Sequence, residues 1–421
     1  MEQSILQKVK ETERLFEGYE IIGSELARVT ALRKKLEEQH MTVSVIGQFK
    51  RGKSALVNGI LGCDILPGGI VPLGLAAPPA VVTTVDYGEE EAAVYFGNGR
   101  VEQVTFGEIP AFVNEQENQD NHLDVTKVAI KCPSEFLRHN LTFVDTPGVG
   151  SLHEKNSEEA YAFVKESDAV IFTLSVDSPI NQIEIDFLKN AREHAAKFYF
   201  AVNKIDVIAQ EDLKAYLDYC GKFIAEIMEV DKVMLFPVSA KTGQGIDKLK
   251  ESVLAELSAE TGNILRESAE LKLQDIVKSA LAEVTLYRKA LSMTGAEFDK
   301  KFAEIKDFFK QIHEETEALP PALRENKEVA RLHANDVKNR LTAKVKELFG
   351  IDYRYDIDYS TSDEPRGTED LTATVDGICN SLDKTLNTIF MHREENTYIV
   401  SKRIYKLNEL VRRLVRMRDS K

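Results

Sequence analysis

Gly47-Gln-Phe-Lys-Arg-Gly-Lys-Ser54 decides the fold. It follows the β-rich run Thr42-Val-Ser-Val-Ile46 and precedes Ala55-Leu-Val-Asn-Gly-Ile-Leu61, which reads as helix. A strand, a glycine loop of the form GxxxxGKS and a helix together make a phosphate cradle. Backbone N–H groups and the positive end of the helix dipole converge on one anion. Gly47, Gln48, Phe49, Lys50, Arg51, Gly52 and Ala55 form that cradle. Lys53 is expected to reach the β and γ phosphates, and the Ser54 hydroxyl to hold Mg²⁺.

Three further loops follow strand-like runs. Leu141-Thr-Phe-Val ends in Asp145-Thr-Pro-Gly148. A carboxylate at a strand end can hold the Mg²⁺ shell with Ser54, and the Gly148 N–H can sense a γ phosphate. Phe198-Tyr-Phe-Ala-Val ends in Asn203-Lys-Ile-Asp206. Asp206 can accept from guanine N1–H and the 2-amino group; adenine has neither donor there, so the acid would be left unpaired. Lys204 can lay its stem on the base, and Asn203 can tie this loop to the phosphate loop. Ser239-Ala240-Lys241 follows a third run and can offer its backbone to guanine O6. Each motif alone is an ordinary turn. Their order, each after a strand, points to GTP or GDP with Mg²⁺ as ligand.

Strand-like runs at 80–87, 127–131, 142–145, 169–176, 198–203 and 233–237 mostly alternate with helical patterns. This predicts an α/β P-loop GTPase domain with a mainly parallel sheet. Residues 1–40 read as a helix with a stripe of Ile22, Leu26, Val29, Leu32 and Leu36. After Gly245 only helical stripes remain, predicting an all-α bundle or stalk. The expected division is 1–40 for the N-terminal helix, which packs with the bundle, 41–258 for the GTPase domain and 259–421 for the bundle.

The formal net charge of -15 repels nucleic acid and anionic lipid on average, so no nucleic-acid partner is expected. Four scattered cysteines without metal spacing fit reduced thiols in the cytoplasm. No N-terminal apolar core reads as a signal peptide, and no apolar run is long enough to span a bilayer. The C-terminal segment departs from this acidity: Lys402, Arg403, Lys406, Arg412, Arg413 and Arg416 flank a stripe of Val400, Ile404, Leu407, Val411 and Leu414. Such a helix can lie on an anionic membrane, but the favoured expectation is a stalk helix whose seam packs on the N-terminal helix.

Over about residues 40–245, the run Gly47–Gly69 followed by Val81-Val-Thr-Thr-Val-Asp-Tyr-Gly88 resembles the bacterial dynamin-like GTPases. The resemblance implies GTP hydrolysis coupled to dimerisation and self-assembly, often with membrane remodelling, and peripheral attachment to the inner face of the membrane. Three departures stand out. No Ser or Thr occurs from Leu66 to Val82, where the family carries a switch threonine, so Thr83 or Thr84 must be recruited or the hydroxyl is missing. Val149 stands where many small GTPases place a water-orienting Gln; Gln48 is one replacement. Lys50 occupies a position near a cation site in dynamins and can act as an internal charge, although a solvent-facing or partner-facing Lys50 or Arg51 is the favoured expectation. A GTP-gated interaction protein with little hydrolysis is the alternative reading. An Era-like RNA-associated GTPase is disfavoured by the acidity and by the lack of an RNA-binding module after residue 245.

Overall fold

The computed structural model describes residues 4–48, 50–62, 81–113, 118, 121–146, 164–324, 327–351, 371–393, 395 and 397–419. The chain divides into two compact units. One contains Lys35–Lys272; the other contains Met1–Lys34, Leu273–Glu364 and Thr368–Lys421.

The first unit is built on nine strands: β1 (Met41–Ile46), β2 (Val82–Tyr87), β3 (Glu91–Phe96), β4 (Val101–Val104), β5 (Val125–Cys132), β6 (Leu141–Asp145), β7 (Ala169–Ser175), β8 (Lys197–Asn203) and β9 (Leu235–Pro237). They form one sheet in the order β4-β3-β5-β2-β6-β1-β7-β8-β9. β1, β6, β7, β8 and β9 are parallel to one another, as expected. The antiparallel pairs are β2 with β6, β3 with β4 and β3 with β5. The β3–β4 hairpin turns at Gly97-Asn-Gly-Arg100 and was not foreseen; its strand β4 is largely exposed and lacks a clear apolar face.

β7 is buried along its whole length, in keeping with its mostly apolar sequence Ala169-Val-Ile-Phe-Thr-Leu-Ser175. Helix α3 (Lys53–Leu61) covers one face with Leu56, Val57 and Ile60. Helices α4 (Gln182–Ala191) and α5 (Gln210–Met228) cover the other with Phe187, Leu188 and Ile224.

The second unit is helical. Residues 1–40 do not form one helix: α1 (Ile5–Phe16) and α2 (Gly23–Glu38) are separated at Gly18, whose φ of +82° ends the first. Glu13 accepts from Thr30 and Arg33, closing this pair. Helix α6 (Ile246–Leu291), whose residues up to Lys272 belong to the first unit, is interrupted by non-helical torsions at Glu260. In α7 (Gly295–Glu317) the buried Phe298, Ile305 and Ile312 recur every seventh residue. They pack with α8 (Lys327–Phe349) and α9 (Leu371–Arg393). Helix α10 (Thr397–Asp419) buries Leu407, Leu410 and Leu414, a seam shifted from the expected stripe because Val400, Ile404 and Val411 are only half-buried. Glu409 and Arg413 of α10 lie near Tyr19 of the N-terminal segment. No helix among the described residues is long and apolar enough to cross a membrane.

A buried charge cluster closes the base of the first unit. Asp168, just before β7 and 2% exposed, takes Lys35 Nζ on Oδ2 and Lys272 Nζ on Oδ1, both at 2.6 Å. Thr42 N–H and the Ser268 hydroxyl complete its shell at 2.8 and 2.6 Å. Burial alone would raise this carboxyl; the ammonium groups of Lys272 and Lys35 overcome it and hold it far below the usual carboxylate range. The contribution is therefore present above the unfolded carboxyl value of about 4 and is lost only as pH falls further, through the folded value. Asp168→Ala leaves two ammonium groups at a dry site and is expected to cost about 3–5 kcal/mol. Urea unfolding at pH 7 checks this, and a loss below about 1 kcal/mol would show the pairing to be replaceable by water.

Candidate nucleotide-binding site

The described residues of the four motif loops lie together at the carboxyl edge of the sheet, where β1, β6, β8 and β9 end. The close approach that glycine permits is visible twice. A Cβ on Gly47 would lie 2.4 Å from the Thr173 carbonyl oxygen. Gly52, at φ +84°, caps α3, and a Cβ there would meet Asn203 Nδ2 at 2.5 Å.

Asn203 uses both ends of its carboxamide. Nδ2 donates to Arg51 O at 2.9 Å, and Oδ1 accepts from the N–H groups of Lys204 and Ala240 at 2.8 and 2.9 Å. It therefore joins the Gly47–Ser54 loop to the loops that begin at Asn203 and Ser239. Ser239, buried, donates to Asp206 Oδ1 at 2.7 Å, while Lys241 is exposed. Lys204 adopts φ +63° and its ammonium lies 2.7 Å from Asp177 Oδ2.

Lys53 is buried, with Nζ 3.3 Å from Gln48 O. Burial pushes this ammonium down to about 8. Ser54 Oγ donates to Asp145 Oδ2 at 2.6 Å, and the buried Asp145 Oδ1 accepts no hydrogen bond from the described residues. Burial raises the Asp145 carboxyl to about 6, against the pull of Ser54 and Lys53. A buried carboxylate oxygen without a donor, beside a hydroxyl, suits a small hard cation that takes oxygen ligands. Ser54 and Asp145 fit Mg²⁺ on this ground.

The register separates the two switch candidates. Thr83 lies opposite Asp145 and Thr84 opposite Val144 in the β2–β6 ladder. Residues directly opposite share a sheet face, so Thr83 is on the face of Asp145 and Thr84 on the other. Both are buried in a strand, and the Thr84 hydroxyl has no hydrogen-bond partner among the described residues. Phe49, Gly148, Val149 and residues 66–80 lie outside the described residues.

Arg51 is not where it was expected. Lys50 is exposed, at φ +67°, but the Arg51 side chain is 2% exposed and turned inward. Nε and Nη2 grip Glu184 at 3.1 and 2.7 Å. Nη1 donates to Ser175 Oγ and Ser178 O, and Nη2 to Pro179 O. The guanidinium is spent on protein acceptors and moors the phosphate loop to the β7–α4 segment. Glu184 also accepts from Asn181 N–H, and Asn181 Oδ1 accepts from Glu184 N–H, each at 3.2 Å, a capping box at the start of α4. The pattern Asn181-Gln-Ile-Glu184 after a buried strand is the signal that could have marked this segment.

A parallel-sheet core with a phosphate loop, a strand-end Asp and an Asn-Lys-x-Asp loop joined through one asparagine defines a P-loop GTPase domain. Residues 43–206 match the profile of the Dynamin family. The chain is 35% identical over 233 residues to the "uncharacterized protein in xynA 3′ region" of Caldicellulosiruptor sp., covering 55% of this chain and 57% of that one. It is 26% identical over 194 residues to the bacterial dynamin-like protein of Nostoc punctiforme, covering 43% and 27%. The chain thus spans little more than half of the first relative and about a quarter of the second. A solved structure of an oligomerised bacterial dynamin pair aligns over 98% of this chain and 78% of that one, at 16% identity and a TM-score of 0.44.

The mooring makes a direct prediction. Arg51→Lys keeps the charge but not the planar fork, so Glu184 and the carbonyls of Ser178 and Pro179 cannot all be served. The variant is expected to lose roughly 1–3 kcal/mol of stability. Equal denaturation midpoints for variant and parent would show that charge alone anchors the loop.

Proposed function

We propose that this chain binds GTP with Mg²⁺, hydrolyses it, and couples turnover to self-assembly. The observation that carries the reading is Asn203, which joins the phosphate-binding and base-binding loops into one continuous site. Lys53 would neutralise the β and γ phosphates, and Ser54 and Asp145 would hold Mg²⁺. The metal, when bound, draws charge from the phosphate oxygens. Thr83, on the face of Asp145, is the switch hydroxyl in this reading. Water attacks the γ phosphorus, the bond to the β-phosphate oxygen breaks, and GDP and phosphate leave.

Membrane remodelling is part of the proposal, supported by α10. Its outward side exposes Lys402, Lys406, Arg412 and Arg416 together with Tyr398 and Tyr405, a pairing of cations and aromatics suited to an anionic headgroup layer. The opposing consideration is that Arg403 and Arg413 are already matched by Glu395 and Glu409.

Specific GTP turnover is expected to rise with protein concentration, and further with anionic liposomes. A rate per molecule that stays flat across concentration removes the assembly coupling. Tight GTP binding without turnover would identify a GTP-gated interaction protein instead. Asp206→Asn is expected to weaken GTP and favour xanthosine triphosphate, because an amide can donate to the carbonyl that replaces the guanine 2-amine. Competition against a fluorescent GDP reads this, and unchanged guanine preference would displace Asp206 from base recognition.

A further inference from the structure

Lys204 and Asp206 leave the end of β8 in opposite directions. Asp206 turns to the β9 side, where its Oδ1 accepts from Ser239. Lys204 turns to the β7 side, where its ammonium lies 2.7 Å from Asp177 Oδ2. β8 lies between β7 and β9 in the sheet, and Asp177 follows β7 by two residues. The Lys204 stem therefore runs along the carboxyl edge, from the end of one strand to the end of its neighbour.

Asp177 is itself held in place. Burial would raise its carboxyl, but Lys204 and Ser175 hold it below its usual range, so it is charged at neutral pH. An ionised carboxylate only accepts, so the 2.6 Å bond between Ser175 Oγ and Asp177 Oδ1 is donated by the serine. The buried Ser175 hydroxyl accepts in turn from Arg51 Nη1 at 3.0 Å, a group that only donates. A phosphate-loop arginine, a buried hydroxyl, a carboxylate and the motif lysine thus form one line past the ends of β1, β7 and β8.

In the guanine-nucleotide reading of this site, the stem of Lys204 lies on the base and its ammonium does not. Methylenes carry no group that fixes their direction. A lysine held only by the ligand would lose its rotamer freedom at each binding event. An ion pair this open to solvent, with side chains 31% and 43% exposed, adds little to stability. Its effect is on direction. We propose that Asp177 is a positioning residue for the guanine base, holding the Lys204 ammonium so that the stem is a preformed platform for the base face. The inference rests on the GTP reading and adds to it a residue outside the four motifs.

Asp177→Asn removes the charge and keeps the size. Lys204 must then be ordered by the nucleotide, and immobilising one long side chain corresponds to about 3- to 10-fold in affinity. The Kd of fluorescent GDP is measured for each variant with Mg²⁺ present, and its displacement then reads three competitors. GDP and inosine diphosphate are expected to weaken by the same factor, because they share the base face and differ in the 2-amino group. Inorganic pyrophosphate, which has no base, is expected to keep its affinity. Asp177→Glu, which keeps the charge, is expected to stay within about twofold of the parent for all three.

Lys204→Met keeps an unbranched stem without the ammonium. Asp177→Asn in that background is expected to cause no further loss, because Asp177 acts through Lys204. Both positions are partly exposed, so every variant is expected to melt with the parent. Additive losses in the double variant, equal losses for pyrophosphate and GDP, or parental GDP affinity in Asp177→Asn would each overturn the proposal and leave the GTP reading standing. Failure of the parent chain to bind fluorescent GDP would sink the GTP reading, and this inference with it.

Discussion

The site depends on one carboxamide. Asn203 stands at the end of β8, and its two functional ends serve opposite loops: the amine holds the carbonyls of Arg51 and Gly52, and the oxygen receives Lys204 N–H and Ala240 N–H. The phosphate loop, the base-reading loop and the Ser239–Lys241 loop are separated by about 150 and 37 residues of chain, so no local preference can set their distances. A rigid three-way link does. It explains why position 52 must lack a Cβ, since the space is filled by Asn203 Nδ2. It also explains why a shorter or acceptor-only side chain cannot stand at 203: one of the three loops would be released.

Buried charge separates what supports the site from what waits for a ligand. Asp168 has four donors around two oxygens, and Arg51 divides its guanidinium among Glu184, Ser175, Ser178 and Pro179. Those groups are saturated within the protein, which is how an internal charge is tolerated. Asp145 and Lys53 differ. Among the described residues, Asp145 Oδ1 is buried with no donor, and Lys53 has one backbone carbonyl at 3.3 Å. Burial moves both toward neutrality, Asp145 up to about 6 and Lys53 down to about 8. The charged form of each is therefore poorly solvated within the protein. A phosphate beside one and a divalent cation beside the other would relieve both at once. Preorganised polar groups whose needs are met only by the ligand are the usual origin of tight phosphate binding.

The legible part of this site was the part written in consecutive residues. GxxxxGKS and Asn203-Lys-Ile-Asp206 announce themselves because the chemistry needs several neighbouring positions at once, and strands β1, β6, β7 and β8 because they are rich in β-branched and aromatic residues. The hairpin β3–β4 escaped because β4 presents Val101-Glu-Gln-Val104 to solvent, with no buried face to mark it. The break at Gly18 escaped because the apolar stripe runs on either side of it and only a backbone torsion records the turn. Arg51 escaped for a deeper reason. Its partner Glu184 is 133 residues away, and a lone arginine in a polar loop reads as solvated unless its acid is known. The same holds for Asp168, gripped from 133 residues before and 104 after. Sequence motifs thus reveal where a ligand's charges will be met, whereas the pairs that hold those motifs in place are visible only once the chain has folded. The exception is instructive: Asn181 and Glu184 form a capping box three residues apart, a local pattern, and through it the non-local grip of Arg51 reaches Gln48.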